Sequence, residues 1–480
     1  MIERPLRIFR SIAELQFALR DRTITARSIV EDCIDAHRRW DSRVHAWVSF
    51  DAEGALLRAD AADRDLRAGR PVGPLHGIPI GVKDIVDVEG YVTQAGAKHW
   101  SDAPAAADAP MVARLRAAGA IILGKTVTTP YAWIDPPATR NPWNLDRTPG
   151  GSSSGSAAAV ASGLAVAAIG TQTGGSIIRP AAFCGVVGWK PAGGSKPSLH
   201  GIVPFAHSLD IPGFLTRSVT DIYTLHESTV GPIAPPRSPI ASHRRMAECL
   251  RRLDDSIDAS AGADAIGERL LDSGVAFRTA PRLGRIRGVF ESRADPIMNE
   301  ALDAAADRWS RDGCEIVEVE LPEIFERIHV AHRIVMAFEA AQVHGERFAR
   351  LRDDYPPRMA ALVAEGLEID ERYYLDALAI GRRASEFFRP DLDAFVLPAA
   401  LGPAPGPETT GDPFCNSPWT FDGRPSISVP IGLDPSGLPL AAQLVGRTPA
   451  AAEADLLGAA HWCELDPEVW PLDIDREKRS

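Results

Sequence analysis

The sequence predicts an α/β protein in which a predominantly parallel or mixed β-sheet is covered by helices on both faces. Three observations carry that expectation. Helical and extended patterns alternate along much of the chain, which is how strand–helix crossovers are built. The extended stretches are short and mostly apolar, as in strands buried on both faces. At 480 residues, the chain can bury a large core and suits one large α/β unit with an insertion, or two to three domains.

Residues 1–70 read as a helical scaffold. Ser11-Ile12-Ala13-Glu14 has the spacing of a capping box before an amphipathic run, and Thr25 opens a second run through Ile29, Val30, Cys33, Ile34 and His37. A core segment, 71–225, follows. Gly73 to Asp87 is a mostly apolar strand pattern with one lysine, Lys83, inside it. Met111–Ala118 reads as helix and Ala120–Leu123 as strand, ending at Gly124-Lys125-Thr126. Residues 134–151, rich in proline and asparagine, read as an ordered surface loop. A glycine and serine loop, Gly150–Gly155, leads into an alanine-rich helix near Ser156–Ser162, which Gly163 stops. A strand, Leu164–Ile169, then runs into Gly170-Thr171-Gln172-Thr173-Gly174-Gly175-Ser176.

The segment 226–390 is variable in texture and largely helical. Its clearest unit is a strand, Arg285–Phe290, then Asp295-Pro296 as N-cap and first position of a helix bearing Met298, Leu302, Ala305 and Trp309. Gly313 ends that helix, Glu315–Leu321 returns as a strand, and helical patterns run from Ile324 to Phe388. Residues 391–480 return to the sheet through Ala394–Pro398, Ser426–Gly432 and Leu440–Val445. No internal repeat is visible.

Composition narrows the function classes. With 52 basic and 64 acidic residues the chain carries a formal charge of −12. Such a surface repels phosphate backbones and anionic lipid heads, and no local basic patch offsets it, so neither nucleic acid nor membrane is an expected partner. Met1–Arg20 lacks the apolar run of a secretory signal, and no window reaches 18 uninterrupted apolar residues. A soluble, cytoplasmic protein is the expectation. The six cysteines are scattered singly, without a C-x-x-C pair, and read as reduced, mostly buried thiols. Lysine usage is skewed: six lysines stand against 46 arginines, and five of the six fall between positions 83 and 196. Arginine keeps its proton whereas a desolvated lysine can lose it, so this stretch is where lysine-specific chemistry is worth seeking.

Several motifs fail on inspection. Gly151-Ser152-Ser153-Ser154-Gly155 matches G-x-S-x-G, but that elbow needs an apolar strand before it and Asp146–Gly150 is a turn. No Gly-Lys-Ser/Thr follows the glycines as in a P-loop. No lysine lies three residues after a serine, and no H-E-x-x-H pair offers metal ligands. What remains is Ser176, behind two glycines at the end of a strand. Consecutive glycines let N–H groups converge on a developing oxyanion, and Lys83 and the serine loop are the candidate bases.

Taken together, Gly77-Ile78-Pro79-Ile80-Gly81-Val82-Lys83-Asp84, Gly150 through Ala161 and Gly170 through Ser176 resemble the amidase signature family. The resemblance extends to Gly124-Lys125-Thr126, to Pro180 through Gly188, and to Gly423–Pro430 and Gly437–Gly446. It implies a large mixed-sheet core covered by helices, and a substrate pocket that varies in the 226–390 region. It implies a catalytic triad of Ser176 as nucleophile, Ser152 as bridging serine after a cis peptide and Lys83 as base, with N–H groups of Thr173, Gly174, Gly175 and Ser176 as the oxyanion hole. The serine spacing, 176 − 152 = 24, fits the family pattern. It further implies hydrolysis of an acyl C–N bond in a small-molecule carboxamide, anilide or carbamate, through an acyl-enzyme, without metal or organic cofactor, by a monomer or homodimer. The alternative is an amidotransferase-type subunit within a transamidase complex.

Two departures from the family pattern bear on the substrate. The usual Ser-Ile-Arg-x-Pro is here Ser176-Ile177-Ile178-Arg179-Pro180, so the arginine stands one residue later; it either clamps a substrate carboxylate or carbonyl or forms a structural ion pair. After Thr126 the chain continues Val127-Thr128-Thr129-Pro130-Tyr131-Ala132-Trp133, not with the acidic, methionine-containing segment of the transamidase subunit. Tyr131 and Trp133 are candidates for an aromatic pocket wall, or equally for core packing.

Overall fold

The protein is described from a computed structural model over residues 11–97, 100–233, 280–448 and 452–465. Both N-terminal helices start where their caps stand: Ser11 accepts from the Glu14 N–H ahead of helix Ile12–Arg20, and Thr25 accepts from Ser28 ahead of helix Ala26–Val44. A further helix, Ala52–Arg67, completes the scaffold. The first 70 residues are not wholly helical, however, because β1 (Trp47–Phe50) pairs with the core.

Eleven strands form one sheet: β1, then β2 (Pro79–Lys83), β3 (Ile121–Thr126), β4 (Ala167–Gln172), β5 (Val187–Lys190), β6 (Ile211–Thr216), β7 (Arg282–Ile286), β8 (Glu315–Val319), β9 (Ala394–Pro398), β10 (Ser426–Leu433) and β11 (Pro439–Gly446). Their order is β1-β3-β2-β4-β6-β5-β10-β11-β9-β7-β8. The sheet is mixed rather than predominantly parallel: β3-β2-β4 at one side and β9-β7-β8 at the other are parallel, while every pair from β4 to β9 between them, and β1 with β3, is antiparallel. A short turn in which Asp434 and Leu438 share a backbone hydrogen bond joins β10 to β11, so that pair has to be antiparallel.

Some boundaries move from their expected places. The strand expected at Leu164–Ile169 lies at Ala167–Gln172, because the Leu164 N–H still closes the preceding helix on Ala159 and ladder pairing begins only where Ala167 meets Ile80. The strand expected at Arg285–Phe290 ends at Ile286; Gly288, at φ +87, turns the chain into a short helix, Val289–Arg293, which buries Phe290. The loop 134–151 is not purely a surface feature. Asn141 is fully buried and donates to the carbonyls of Thr148 and Phe183. In the 226–390 region, helix Ile328–Arg350 packs against both Pro357–Leu367 and Glu371–Ser385; residues 234–279 lie outside the described residues. Cys33, Cys184, Cys314, Cys415 and Cys463 are buried and outside any disulfide, and Cys249 falls outside the described residues. No helix among the described residues is long and apolar enough to cross a membrane.

Candidate active site

The parallel pairing of β2 with β4 brings the lysine and the glycine loop to the same end of the sheet. Val82 is opposite Ile169, so Lys83, the next residue, lies beside the last residues of β4, and the chain leaving β4 carries Thr173–Ser176. Ligands collect at the carboxyl ends of strands in such sheets. The serine loop reaches the same place on helix Ser154–Ala161, which is made of glycine, serine, alanine and one valine and lies close against the sheet. A Cβ on Gly155 would stand 2.3 Å from the Ala46 carbonyl, so only glycine permits that approach. Ser156 fixes the helix by donating to the Ile169 carbonyl at 2.9 Å and bonding Thr126 at 2.7 Å.

Lys83 is fully buried. Its amine lies 2.7 Å from Ser152 Oγ and 2.8 Å from Thr171 Oγ1. No carboxylate among the described residues touches it. Burial pulls its pKa well below the usual lysine value, and the charge of Asp210 opposes that only at a distance. The Gly151–Ser152 peptide is cis. Ser176 joins the group through its backbone, its carbonyl accepting from the Ser153 N–H at 3.2 Å. The other two loop serines are engaged elsewhere: Ser153 bonds the Thr171 carbonyl at 3.2 Å and Ser154 the Gly150 carbonyl at 2.6 Å.

Ser176 and Thr173–Gly175 form one wall of a cavity of about 290 Å³. The rest of the lining comes largely from outside the glycine-rich segments. It includes Trp133, Phe205, Phe414 and Met336, with His329 and His332 from helix Ile328–Arg350 and Arg293 and Arg333. Phe205 stacks on Trp133 with ring centres 5.6 Å apart, and Phe414 stacks on His329 at 4.0 Å. Burial holds both histidines neutral at ordinary pH, with pKa values lowered to about 4.

The three residues proposed as substrate contacts fare differently. Trp133 lines the cavity. Tyr131 does not; it is buried behind the wall, stacked on Tyr355 at 4.7 Å with its hydroxyl on Asp354. Arg179 lines the cavity while almost completely buried, and it forms no ion pair among the described residues. Its Nη2 donates to the Gly151 carbonyl at 2.8 Å, whereas Nε and Nη1 have no partner among the described residues. Desolvation lowers its pKa to about 10, which leaves it cationic at neutral pH.

Four residues escaped the sequence reading. Thr171 is the second hydroxyl on Lys83, Asp210 accepts from Thr173 Oγ1 at 2.6 Å, His332 Nε2 meets the Thr173 carbonyl at 2.9 Å, and Thr420 Oγ1 donates to the Gly174 carbonyl at 2.9 Å. No motif marks Asp210, His332 or Thr420, which act through tertiary proximity alone; Thr171 stands inside the Gly170–Ser176 motif, but nothing local gives it a role.

A family described as Amidase matches residues 28–457. A glutamyl-tRNA(Gln) amidotransferase subunit from Salinispora tropica is 34% identical over 486 aligned positions, covering 92% of this chain and 94% of that one. A solved structure described as an amidase superposes with a TM-score of 0.79 at 28% identity, over 94% of this chain and 99% of that chain. The peptide amidase of Stenotrophomonas maltophilia gives 0.73 at 27% identity, over 94% and 96%.

Proposed function

Because the chain belongs to the amidase family, whose enzymes act on C–N bonds, we propose that it cleaves an acyl C–N bond with Ser176 as nucleophile, Ser152 as proton relay and Lys83 as base. The single observation that carries this reading is the 2.7 Å contact between a fully buried lysine amine and Ser152, with no carboxylate among the described residues touching the amine. A neutral Lys83 takes the proton of Ser152, and Ser152 takes that of Ser176 as the Ser176 oxygen attacks the carbonyl carbon. The negative charge that develops on the carbonyl oxygen is met by N–H groups of Thr173, Gly174, Gly175 and Ser176. As the tetrahedral species collapses, Ser152 delivers its proton to the leaving nitrogen, and water then hydrolyses the acyl-enzyme by the same route in reverse.

The substrate is a small carboxamide, anilide or carbamate. The aromatic lining of the cavity suits a flat acyl group, and the Nη1 of Arg179 suits a carboxylate or second carbonyl on it. A second reading is favoured by the 34% identity to an amidotransferase subunit: the same acyl-enzyme chemistry would release nitrogen to a partner protein inside a transamidase complex. The hydrolase reading rests on one local departure, Val127–Trp133 in place of the acidic, methionine-containing segment. Purified protein on a panel of chromogenic anilides and carbamates separates the two. Turnover without any other protein supports the hydrolase; release of ammonia from glutamine that appears only with partner subunits supports the transamidase.

A further inference from the structure

The carbonyls of the oxyanion loop are held by hydrogen bonds, and the residues that hold them come largely from outside the glycine-rich segment. In a planar trans peptide the C=O of one residue and the N–H of the next point in opposite directions. Whatever fixes the carbonyl therefore aims the N–H. The Thr173 carbonyl faces His332 Nε2 at 2.9 Å; a carbonyl only accepts, so that nitrogen carries the proton. The Gly174 carbonyl accepts from Thr420 Oγ1 at 2.9 Å. The Gly175 carbonyl accepts from the Arg179 N–H at 3.0 Å. The three N–H groups that share these peptide planes belong to Gly174, Gly175 and Ser176, all of which line the cavity.

Thr420 is itself oriented. Its oxygen accepts from Gln172 Nε2 at 3.0 Å, which directs its own proton to Gly174, and the other end of the Gln172 amide accepts from the N–H groups of Ile177 and Ile178 at 2.9 and 3.0 Å. One side-chain amide thus connects the end of β4, the start of the helix after Ser176 and the hydroxyl behind Gly174. Hydrogen bonds in such chains polarise one another, so a carbonyl that accepts makes its N–H a better donor. His332 is buried and neutral, and its helix also contributes His329, Arg333 and Met336 to the cavity lining.

We propose that His332 and Thr420 are positioning residues that aim the Gly174 and Gly175 N–H groups at the oxyanion. The proposal rests on Ser176 being the nucleophile. It places part of the catalytic apparatus 159 and 246 residues away from the loop it serves.

The test is the rate at which a fluorophosphonate probe labels Ser176, followed by intact mass. The phosphoryl oxygen of the probe occupies the position of the substrate oxyanion, so the rate constant reads the aim of the N–H groups while the final fraction labelled reads how much protein is folded. Removing a direct oxyanion donor costs about 100- to 1,000-fold. Thr420→Val and His332→Phe each leave the donors present but unaimed, and should slow labelling by about tenfold or more. Thr420→Ser, which keeps the hydroxyl, should stay within about threefold of wild type. Equal rate constants in wild type and Thr420→Val would overturn the proposal, as would a fall in the labelled fraction without a fall in rate, or equal slowing by Thr420→Ser and Thr420→Val. A wild type that labels elsewhere than Ser176 would instead overturn the functional reading on which the proposal stands.

Discussion

Lys83 and Lys125 stand near the ends of neighbouring parallel strands, β2 and β3, and the side chains of both are fully buried. Their surroundings differ in one respect that decides their charge. Lys125 meets the buried carboxylate of Asp84 at 2.9 Å and the Thr93 hydroxyl at 3.1 Å. Lys83 meets hydroxyls and a carbonyl. Desolvation lowers the pKa of both amines, but at Lys125 the charge and hydrogen bond of Asp84 push back directly, while Lys83 has only the remote Asp210. A buried ion pair stays charged because each partner compensates the other; a buried amine among neutral partners gives up its proton. In the proposed mechanism Lys83 is the one that transfers a proton, while Lys125 pairs with Asp84.

The largest expected effect breaks the chemical side of this contrast. Lys83→Arg keeps the charge but cannot release a proton. It should lower kcat as far as Lys83→Ala does, by about 100- to 10,000-fold, measured on whichever anilide or carbamate the wild type turns over. Retention of a tenth of wild-type kcat would make Lys83 an electrostatic or structural residue. Next comes the structural side. Lys125→Met strands the Asp84 carboxylate and should cost about 3–5 kcal/mol in urea unfolding, whereas Lys83→Met, which strands no charge, should change stability by less than about 1.5 kcal/mol. Equal losses would mean that the two lysines do the same job.

Arg179→Ala sharpens the contrast at a third buried basic side chain, one that holds a backbone carbonyl and still leaves Nη1 without a partner among the described residues. Substrates bearing a carboxylate should lose about 1.5–3 kcal/mol of binding, and neutral ones much less. Uniform loss across the panel would assign the arginine to the scaffold. The smallest effects concern two adjacent glycines. A Cβ on Gly175 would stand 2.6 Å from Asn416 Oδ1, while one on Gly174 meets nothing closer than His332 at 3.5 Å. Gly175→Ala should therefore cost about 1–3 kcal/mol in urea unfolding; Gly174→Ala should unfold as wild type does and only crowd the cavity.

What the sequence disclosed depended on range. Caps at Ser11, Thr25 and Asp295 were legible because donor and acceptor lie within a turn of each other. Lys83, Ser152 and Ser176 each sit in a glycine-rich motif, and the fold brings Lys83 and Ser152 to within 2.7 Å of each other. The strands β5 and β6 were not legible, since Gly188, Pro212 and Gly213 interrupt the apolar pattern that would mark them. Strand direction was equally hidden, because strands buried on both faces lose the alternation that helps distinguish antiparallel from parallel neighbours. Asp84 stands in plain view beside Lys83, yet nothing local says that it pairs with Lys125, 41 residues on. Between a pocket wall and core packing the residue type of Tyr131 does not decide; its backbone adopts φ +52, and the ring is buried on Tyr355 while Trp133 lines the cavity.

The protonation of Lys83 can be observed directly. The chain contains six lysines, so protein labelled with ¹³C at lysine Cε yields a spectrum of six resonances, assigned by Lys83→Arg and Lys125→Arg. The account predicts that at pH 7 the Lys83 resonance stands at the neutral-amine position while Lys125 stands at the ammonium position. On acidification Lys83 should move to the ammonium position, at a pH well below the ordinary lysine value of 10.5. Since the protonated amine cannot act as base, kcat/KM should rise with pH through that same midpoint. A Lys83 resonance that remains at the ammonium position at a pH where the enzyme is fully active would contradict the account.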